Sequence, residues 1–190
     1  MLFHSLIIDD FFENPDALRE FAMTQNFSEI TSPDDGVTYP DICINIPTEV
    51  KQEMHIKITQ LLGAPMTKTI DFMRLSRQGV HVPHQAHTDL IMGQYTALIY
   101  LNKPEDCKGG TSLLKHVNGM DVNPKNDEEE AVWRKDTNDE SKWIKLNECP
   151  MVYNRLFLVR SDLFHRAEPV GGFGNTLENG RLVLVSFFSL

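Results

Sequence analysis

Apolar positions change rhythm about a third of the way along this chain. Residues 2–8 form a short apolar run ended by Asp9-Asp10, which reads as a strand. Asn14 then has the chemistry of a helix N-cap, with Pro15 at the first helical position and Asp16 in the first turn. Ala17, Leu18, Phe21 and Ala22 follow at helical spacing and predict a helix to about residue 26. Residues 28–41 hold Pro33, Asp34, Asp35, Gly36 and Pro40, and read as a loop. A second helix is expected from Pro47-Thr48, with Val50, Met54, Ile58, Leu61 and Leu62 as its apolar stripe and Gly63 as its stop.

Beyond that point the apolar runs are short and rich in β-branched and aromatic residues. They fall at 68–75, 95–101, 111–114, 152–160 and 181–188, bounded by Gly, Pro, Asn or Asp. Helices first and strands afterwards predict an α+β, mainly β fold, with the helices packed on one sheet of a sandwich or barrel. Runs such as Leu182-Val183-Leu184-Val185 are apolar at consecutive positions, so both strand faces need cover. A double-sheet jelly roll provides it. Residues 115–150 interrupt the strands with a polar stretch containing Asp127-Glu128-Glu129-Glu130, Trp133 and Trp143. They read as a structure-poor functional insertion. The expected organisation is one domain over 1–190. An N-terminal strand and supporting helices occupy 1–67, and the jelly-roll core occupies 68–190.

Composition narrows the function. A chain of 190 residues with 41% hydrophobic and 24% charged residues is ordinary for a soluble domain. Its 18 basic and 27 acidic residues leave a net charge of −9, which argues against nucleic acid and anionic membrane surfaces as partners. Cys43, Cys107 and Cys149 are widely spaced and odd in number, so neither a zinc knuckle nor a disulfide framework is suggested. The N-terminus lacks the basic start of a signal peptide, and no apolar stretch approaches the roughly 20 residues that span a bilayer. A cytoplasmic location is the resulting expectation.

The candidate chemistry lies in His87-Thr88-Asp89. On an extended strand, residues two apart point to the same side, so an imidazole and a carboxylate reach toward one ion. A third ligand from another strand would complete a two-His-one-carboxylate face, which suits non-haem iron(II). With 7 His and 27 acidic residues, chance alone supplies about one His-x-acid pair, so the motif by itself says little. Three further residues add weight, each with a plain alternative. His165 follows the apolar run Leu156-Phe157-Leu158-Val159, at a rim where sites are built or where a loop histidine sits. Arg181 opens the last apolar run, where a guanidinium is costly unless an anion meets it; otherwise it is an exposed arginine beside a turn. Tyr100, in Ala97-Leu98-Ile99-Tyr100-Leu101-Asn102, needs a hydrogen-bond partner if buried, whether a ligand carboxylate or the backbone.

The order of these pieces resembles the iron(II)/2-oxoglutarate-dependent dioxygenase superfamily, in its prolyl-hydroxylase-like branch. The resemblance rests on His87-Thr88-Asp89, Tyr100-Leu101-Asn102, Gly109-Gly110-Thr111, Asn154-Arg155-Leu156 leading through Ser161-Asp162 to His165, and Arg181. It covers residues 70–190, and the opening Ile7-Ile8-Asp9-Asp10-Phe11-Phe12 looks like that of a poorly characterised subgroup. It implies a double-stranded β-helix, cupin-like in outline. It also implies His87, Asp89 and His165 as iron ligands, Arg181 on the 5-carboxylate of 2-oxoglutarate, and Tyr100 as a hydrogen-bond donor there. Fe(II), 2-oxoglutarate and O2 would be the cofactor and co-substrates. Hydroxylation of a small molecule, peptide or amino-acid side chain would release succinate and CO2. Related halogenases have a small residue at the position of Asp89, so the carboxylate favours hydroxylation or another oxidation.

Other residues carry alternatives. Arg181 follows His165 by 16 positions, a long interval that a hairpin loop at Gly171-Gly172-Phe173-Gly174-Asn175 would explain. Arg160 is then a rival for the anion, whereas Arg166 should point elsewhere. His81 and His84 could line the site or be spare ligands, with loop histidines the commoner case. His116 is a candidate substrate contact. Arg74 and Arg77 sit on the strand before His87-x-Asp89, where a solvated strand face is the default, although Arg74 could reach a substrate anion. Trp133 and Trp143 anchor a lid or cover the core's flank. The competing function is a non-catalytic jelly-roll binding or structural module with a relic metal site. A cupin-type metalloenzyme would need three His and a Glu, which this sequence does not assemble.

Overall fold

The structure, a computed structural model, describes residues 4–33, 36–80 and 82–190. The expected strand start at Leu2-Phe3, Asp34-Asp35 of the expected loop and the candidate ligand His81 lie outside the described residues. In chain order the elements are β1 (Ser5–Ile8), α1 (Pro15–Met23), β2 (Ser28–Thr31), β3 (Thr38–Cys43), α2 (Thr48–Leu62), β4 (Thr67–Ser76), β5 (Tyr95–Tyr100), β6 (Gly110–His116), α3 (Asp127–Asp136), β7 (Trp143–Pro150), β8 (Leu156–Arg160), β9 (His165–Glu168) and β10 (Arg181–Ser189). Among the described residues, seven strands form one sheet in the order β1-β8-β5-β10-β4-β3-β2, and three form a second, β7-β6-β9. Every pairing is antiparallel.

The strand alternation explains the consecutive apolar runs. On β5 and β10, Ala97, Ile99, Leu182 and Leu184 pack under Leu18 and Ala22 of α1 and Met54 and Ile58 of α2. The intervening Leu98, Tyr100, Val183 and Val185 face the small sheet with Cys149 and Leu113. Both faces are thus covered, and the protein is a mainly β, double-sheet jelly roll with its N-terminal helices on one sheet, as expected. Full burial of one such Leu or Ile contributes about 1.5–3 kcal/mol.

Local chemistry sets the helix ends. The Asn14 side chain accepts from Ala17 N at 3.2 Å with Pro15 behind it, and Gly63 closes α2 at a left-handed φ of 70°. α1 stops at Met23, short of residue 26. Asn154, at φ 60°, clamps the N-terminal segment to β8: its side chain accepts from Phe12 N and donates to Phe12 O, each at 2.9 Å.

Three expectations are corrected. Residues 28–41 are not a loop but contain β2 and most of β3, an antiparallel pair. Pro40 falls beside the register shift in that ladder, where its missing N–H costs little. The insertion at 115–150 is not structure-poor. β6 runs through His116, α3 is capped by Asn126 accepting from Glu129 N, and β7 returns to pair with β6. Its polarity marks one exposed face. The other face packs Trp143 with Leu114 and Phe164, and Trp133 against them. Nor is 171–175 a hairpin loop, because β9 and β10 lie in different sheets and the connection crosses between them. Among the described residues, no helix is long and apolar enough to cross a membrane.

Candidate active site

Three strands cannot cover seven. The inner faces of β3, β4 and β10 therefore wall a cavity of about 400 Å³ between the sheets, within the usual range for small-molecule sites. His87, Asp89, His165 and Arg181 all reach it.

The backbone brings the histidines together. His87 and His165 exchange both N–H···O bonds, at 3.0 and 2.9 Å, so the segment before β5 is stitched to β9. Asp89 N donates to Ser161 O at 2.8 Å and fixes the third residue. One nitrogen or oxygen from each of His87, Asp89 and His165 lies within 4.8 Å of the others. His165 Nε2 is 3.1 Å from Asp89 Oδ2, and His87 Nε2 is 3.5 Å from Asp89 Oδ1.

The second nitrogen of each ring decides what the first can do. His87 Nδ1 lies 3.0 Å from Gln85 O, and His165 Nδ1 lies 2.9 Å from Leu163 O. A carbonyl only accepts, so each Nδ1 carries the proton, and in a neutral ring the Nε2 lone pair is left for a metal. Thr96 Oγ1 donates to Asp89 Oδ2 at 2.9 Å and is itself 2.9 Å from Ser161 Oγ. Burial, helped by His165 nearby, pushes His87 down to about 4, so its ring is neutral at neutral pH. Burial opposes ionisation of Asp89, but the charge and hydrogen bond of His165 outweigh it and hold the carboxyl down at about 2. Burial likewise opposes protonation of His165, yet Asp89 raises it above the ordinary value. A metal ion would displace that proton. Two neutral imidazoles and a carboxylate, each fixed from behind, fit an iron(II) face with open positions.

Arg181 is 4% exposed and opens onto the same cavity. Its Nη2 donates to Gly110 O at 3.3 Å and Thr111 Oγ1 at 3.2 Å, while Nε is buried without a partner. No carboxylate pairs with it among the described residues. Burial therefore lowers its pKa, with only Tyr100 working the other way. Tyr100 is fully buried behind it and donates to Thr111 Oγ1 at 2.8 Å. The phenol thus reaches the site through Thr111 rather than lining the cavity. Gly109-Gly110 has a steric reason. A Cβ on Gly110 would sit 2.0 Å from Cys149 O, and one on Gly109 2.3 Å from Glu168 O.

Other candidates fall out. Arg160 pairs with Asp162, and Arg166 with Glu168 at 2.8 Å; neither lines the cavity. His116 does not face it either. It is buried beneath α3 with Nε2 3.1 Å from Asp136 Oδ2. His84 lines the mouth, its ring 5.2 Å from that of Trp133. Trp133 Nε1 donates to Ala86 O at 2.8 Å and so holds the segment beside His87, while Trp143 is core. Arg74 and Arg77 both line the cavity; the Arg77 side chain is still 40% exposed and is paired with Asp41 at 2.7 Å. Sequence reasoning missed Thr96, since a hydroxyl inside an apolar run carries no motif, and it named Thr111 and Ser161 in the resemblance without giving either a role.

A model described as a family of unknown function, DUF6445, matches residues 3–188. Comparison with curated proteins finds no match. Among solved structures, a prolyl hydroxylase from Trichoplax adhaerens, in complex with a hypoxia-inducible-factor peptide fragment, is similar with a TM-score of 0.52 and 12% identity over 97% of this chain and 83% of that one. AviO1 from Streptomyces viridochromogenes gives 0.55 at 10% identity, covering 96% and 88%. A prolyl-4-hydroxylase from Pseudomonas putida gives 0.50 at 15% identity, covering 97% and 92%. At such identities the likeness establishes the fold, the double-stranded β-helix.

Proposed function

The chain belongs to the DUF6445 family, whose function is unknown, and we propose that it is an iron(II)- and 2-oxoglutarate-dependent oxygenase of the hydroxylase type. Arg181 carries the reading. A buried guanidinium with an orphaned Nε is costly to leave unpaired, and it opens onto the same cavity as the His-Asp-His cluster. A dicarboxylate that chelates a metal with one end and meets this arginine with the other satisfies both at once. An idle module has no need of either expense.

In this reading His87, Asp89 and His165 hold the iron, which supplies oxidation by dioxygen coupled to decarboxylation of 2-oxoglutarate. Arg181 and Thr111 bind the far carboxylate, with Tyr100 fixing the Thr111 hydroxyl. Thr96 and Ser161 orient Asp89. Leu98, Val183 and Val185 give the cavity an apolar wall that excludes bulk water. The size of the cavity suits a small molecule or one amino-acid side chain as primary substrate. The peptide held by the Trichoplax adhaerens enzyme keeps a peptide in view. The three cysteines are free, which supports a reducing, cytoplasmic setting.

Anaerobic addition of iron(II) and then 2-oxoglutarate should give a weak visible charge-transfer band. His87→Ala and Asp89→Ala should abolish it. Wild-type protein that takes up no iron and gives no band would sink the proposal.

A further inference from the structure

The cavity contains a second cation that the reading above does not use. Arg74 lies on β4 opposite Val183 of β10, so its side chain shares the inner face with Arg181. It makes no hydrogen bond or ion pair among the described residues. Its one close companion is the Tyr39 ring, 5.7 Å from the guanidinium carbon. The charges around it have other duties. Asp41 is held by two bonds from Arg77, and Asp89 belongs to the His-Asp-His cluster. Burial depresses the Arg74 pKa, with Tyr39, Asp89 and Asp41 opposing only in part. Arg181 adds repulsion within the same cavity.

The wall around Arg74 is apolar. Ile42 and Phe72 line the cavity on either side, and Ile70 and Ile44 continue toward solvent, 39% and 68% exposed. This ledge exists because the small sheet stops short of β3 and β4. An unpaired guanidinium at the inner end of an apolar ledge is complementary to one kind of molecule.

We infer that the primary substrate is an apolar monoacid, its carboxylate on Arg74 and its hydrocarbon body along Ile42, Ile44, Ile70 and Phe72. This rests on the oxygenase reading, in which Arg181 is occupied by 2-oxoglutarate. The two arginines then divide the labour. The enclosed one takes the co-substrate, and the one beside the open ledge takes the substrate.

Octanoate and its neutral twin 1-octanol are suitable probes. Each is titrated calorimetrically into the metal-free protein and into protein loaded anaerobically with iron(II) and 2-oxoglutarate. Octanoate should bind at least about tenfold more tightly than 1-octanol in the loaded protein, the scale of one charge-assisted hydrogen bond. Arg74→Gln should bring octanoate to the level of 1-octanol, Arg74→Lys should recover part of the difference, and neither should alter the charge-transfer band. Equal binding of acid and alcohol to the wild type overturns the inference without any variant. Displacement of octanoate by 2-oxoglutarate, or loss of the band in Arg74→Gln, assigns Arg74 to the co-substrate and also overturns it. The band in wild-type protein separates the two failures. Its presence with any of these results removes only the acid substrate, and its absence removes the oxygenase reading.

Discussion

Among the described residues, two buried histidines stand 3.1 Å from an aspartate, and of the two His165 alone lines the cavity. His165 faces Asp89 in the cavity between the sheets, and His116 faces Asp136 on the outer face of the small sheet. Separation and burial are nearly the same. The difference is in the surroundings. His165 has its Nδ1 on a carbonyl, a second histidine 4.6 Å away between ring centres, and open cavity in front. His116 has its Nδ1 accepting from Asn118 N, Trp143 across its ring, and no third metal-binding group among the described residues. A short His–Asp distance therefore identifies nothing alone. The outer pair is saturated by its neighbours, whereas the inner pair shares its cavity with a third ligand atom, on His87, all within 4.8 Å of one another.

The same contrast divides two buried arginines. Arg19 of α1 donates to Leu101 O at 2.9 Å and Glu178 O at 2.8 Å, and ties the helix to two loops. Arg181 keeps a buried Nε with no acceptor. Truncating one member of a buried charge pair costs about 2–5 kcal/mol, so Arg181→Ala should weaken 2-oxoglutarate binding roughly 30-fold or more. Iron(II) affinity, measured without co-substrate, should stay within a few-fold of wild type. Equal loss of both would make Arg181 a structural residue like Arg19 and erase the contrast.

That contrast is what a sequence records badly. His87-x-Asp89 and Arg181 are visible in it because their spacing and setting are local. Whether a polar side chain is satisfied depends on strands far away. His116 reads as a substrate contact until α3 is seen to bring Asp136 over it. Arg74 reads as solvated until the short second sheet is seen to leave its face as a cavity wall. The helices were legible because Asn14, Pro15 and Gly63 state their ends chemically. The β2–β3 pair was not, because Pro33, Gly36 and Pro40 crowd into and beside it and Pro40 hides at a register shift. The insertion misled for a related reason: α3 turns its acidic face outward, so burial at Trp133 and Asp136 is diluted in a polar average.

A smaller effect probes how the inner pair is held. Thr96 Oγ1 donates to Asp89 Oδ2, and Ser161 Oγ lies 2.9 Å from that hydroxyl. Thr96→Val keeps the shape and removes the donor. Metal affinity should fall about tenfold, the lower end for groups that orient a ligand. Thermal stability of the metal-free protein should change far less than in a core truncation. An unchanged iron affinity would mean that the backbone bond from Asp89 N to Ser161 O positions the carboxylate by itself.

The smallest effect on the site should come from the outer pair. His116→Gln leaves Asp136 buried with a poorer partner, a loss of about 1–3 kcal/mol in stability. Iron affinity should not move. The prediction is demanding, because α3 leads straight to Thr137, whose hydroxyl donates to Ala86 O at 2.7 Å, next to His87. Thr137 O also accepts from Ala86 N at 3.0 Å, and Trp133 adds a third tie at the same residue. These ties all come from α3 and its cap, but His87 is also locked by its paired backbone bonds to His165, so loosening one turn of α3 should cost stability without shifting His87. Chemical denaturation and an iron titration on the same preparation decide it. A drop in iron affinity alongside the stability loss would make the outer pair a support of the metal site, and the two histidines would no longer be opposites.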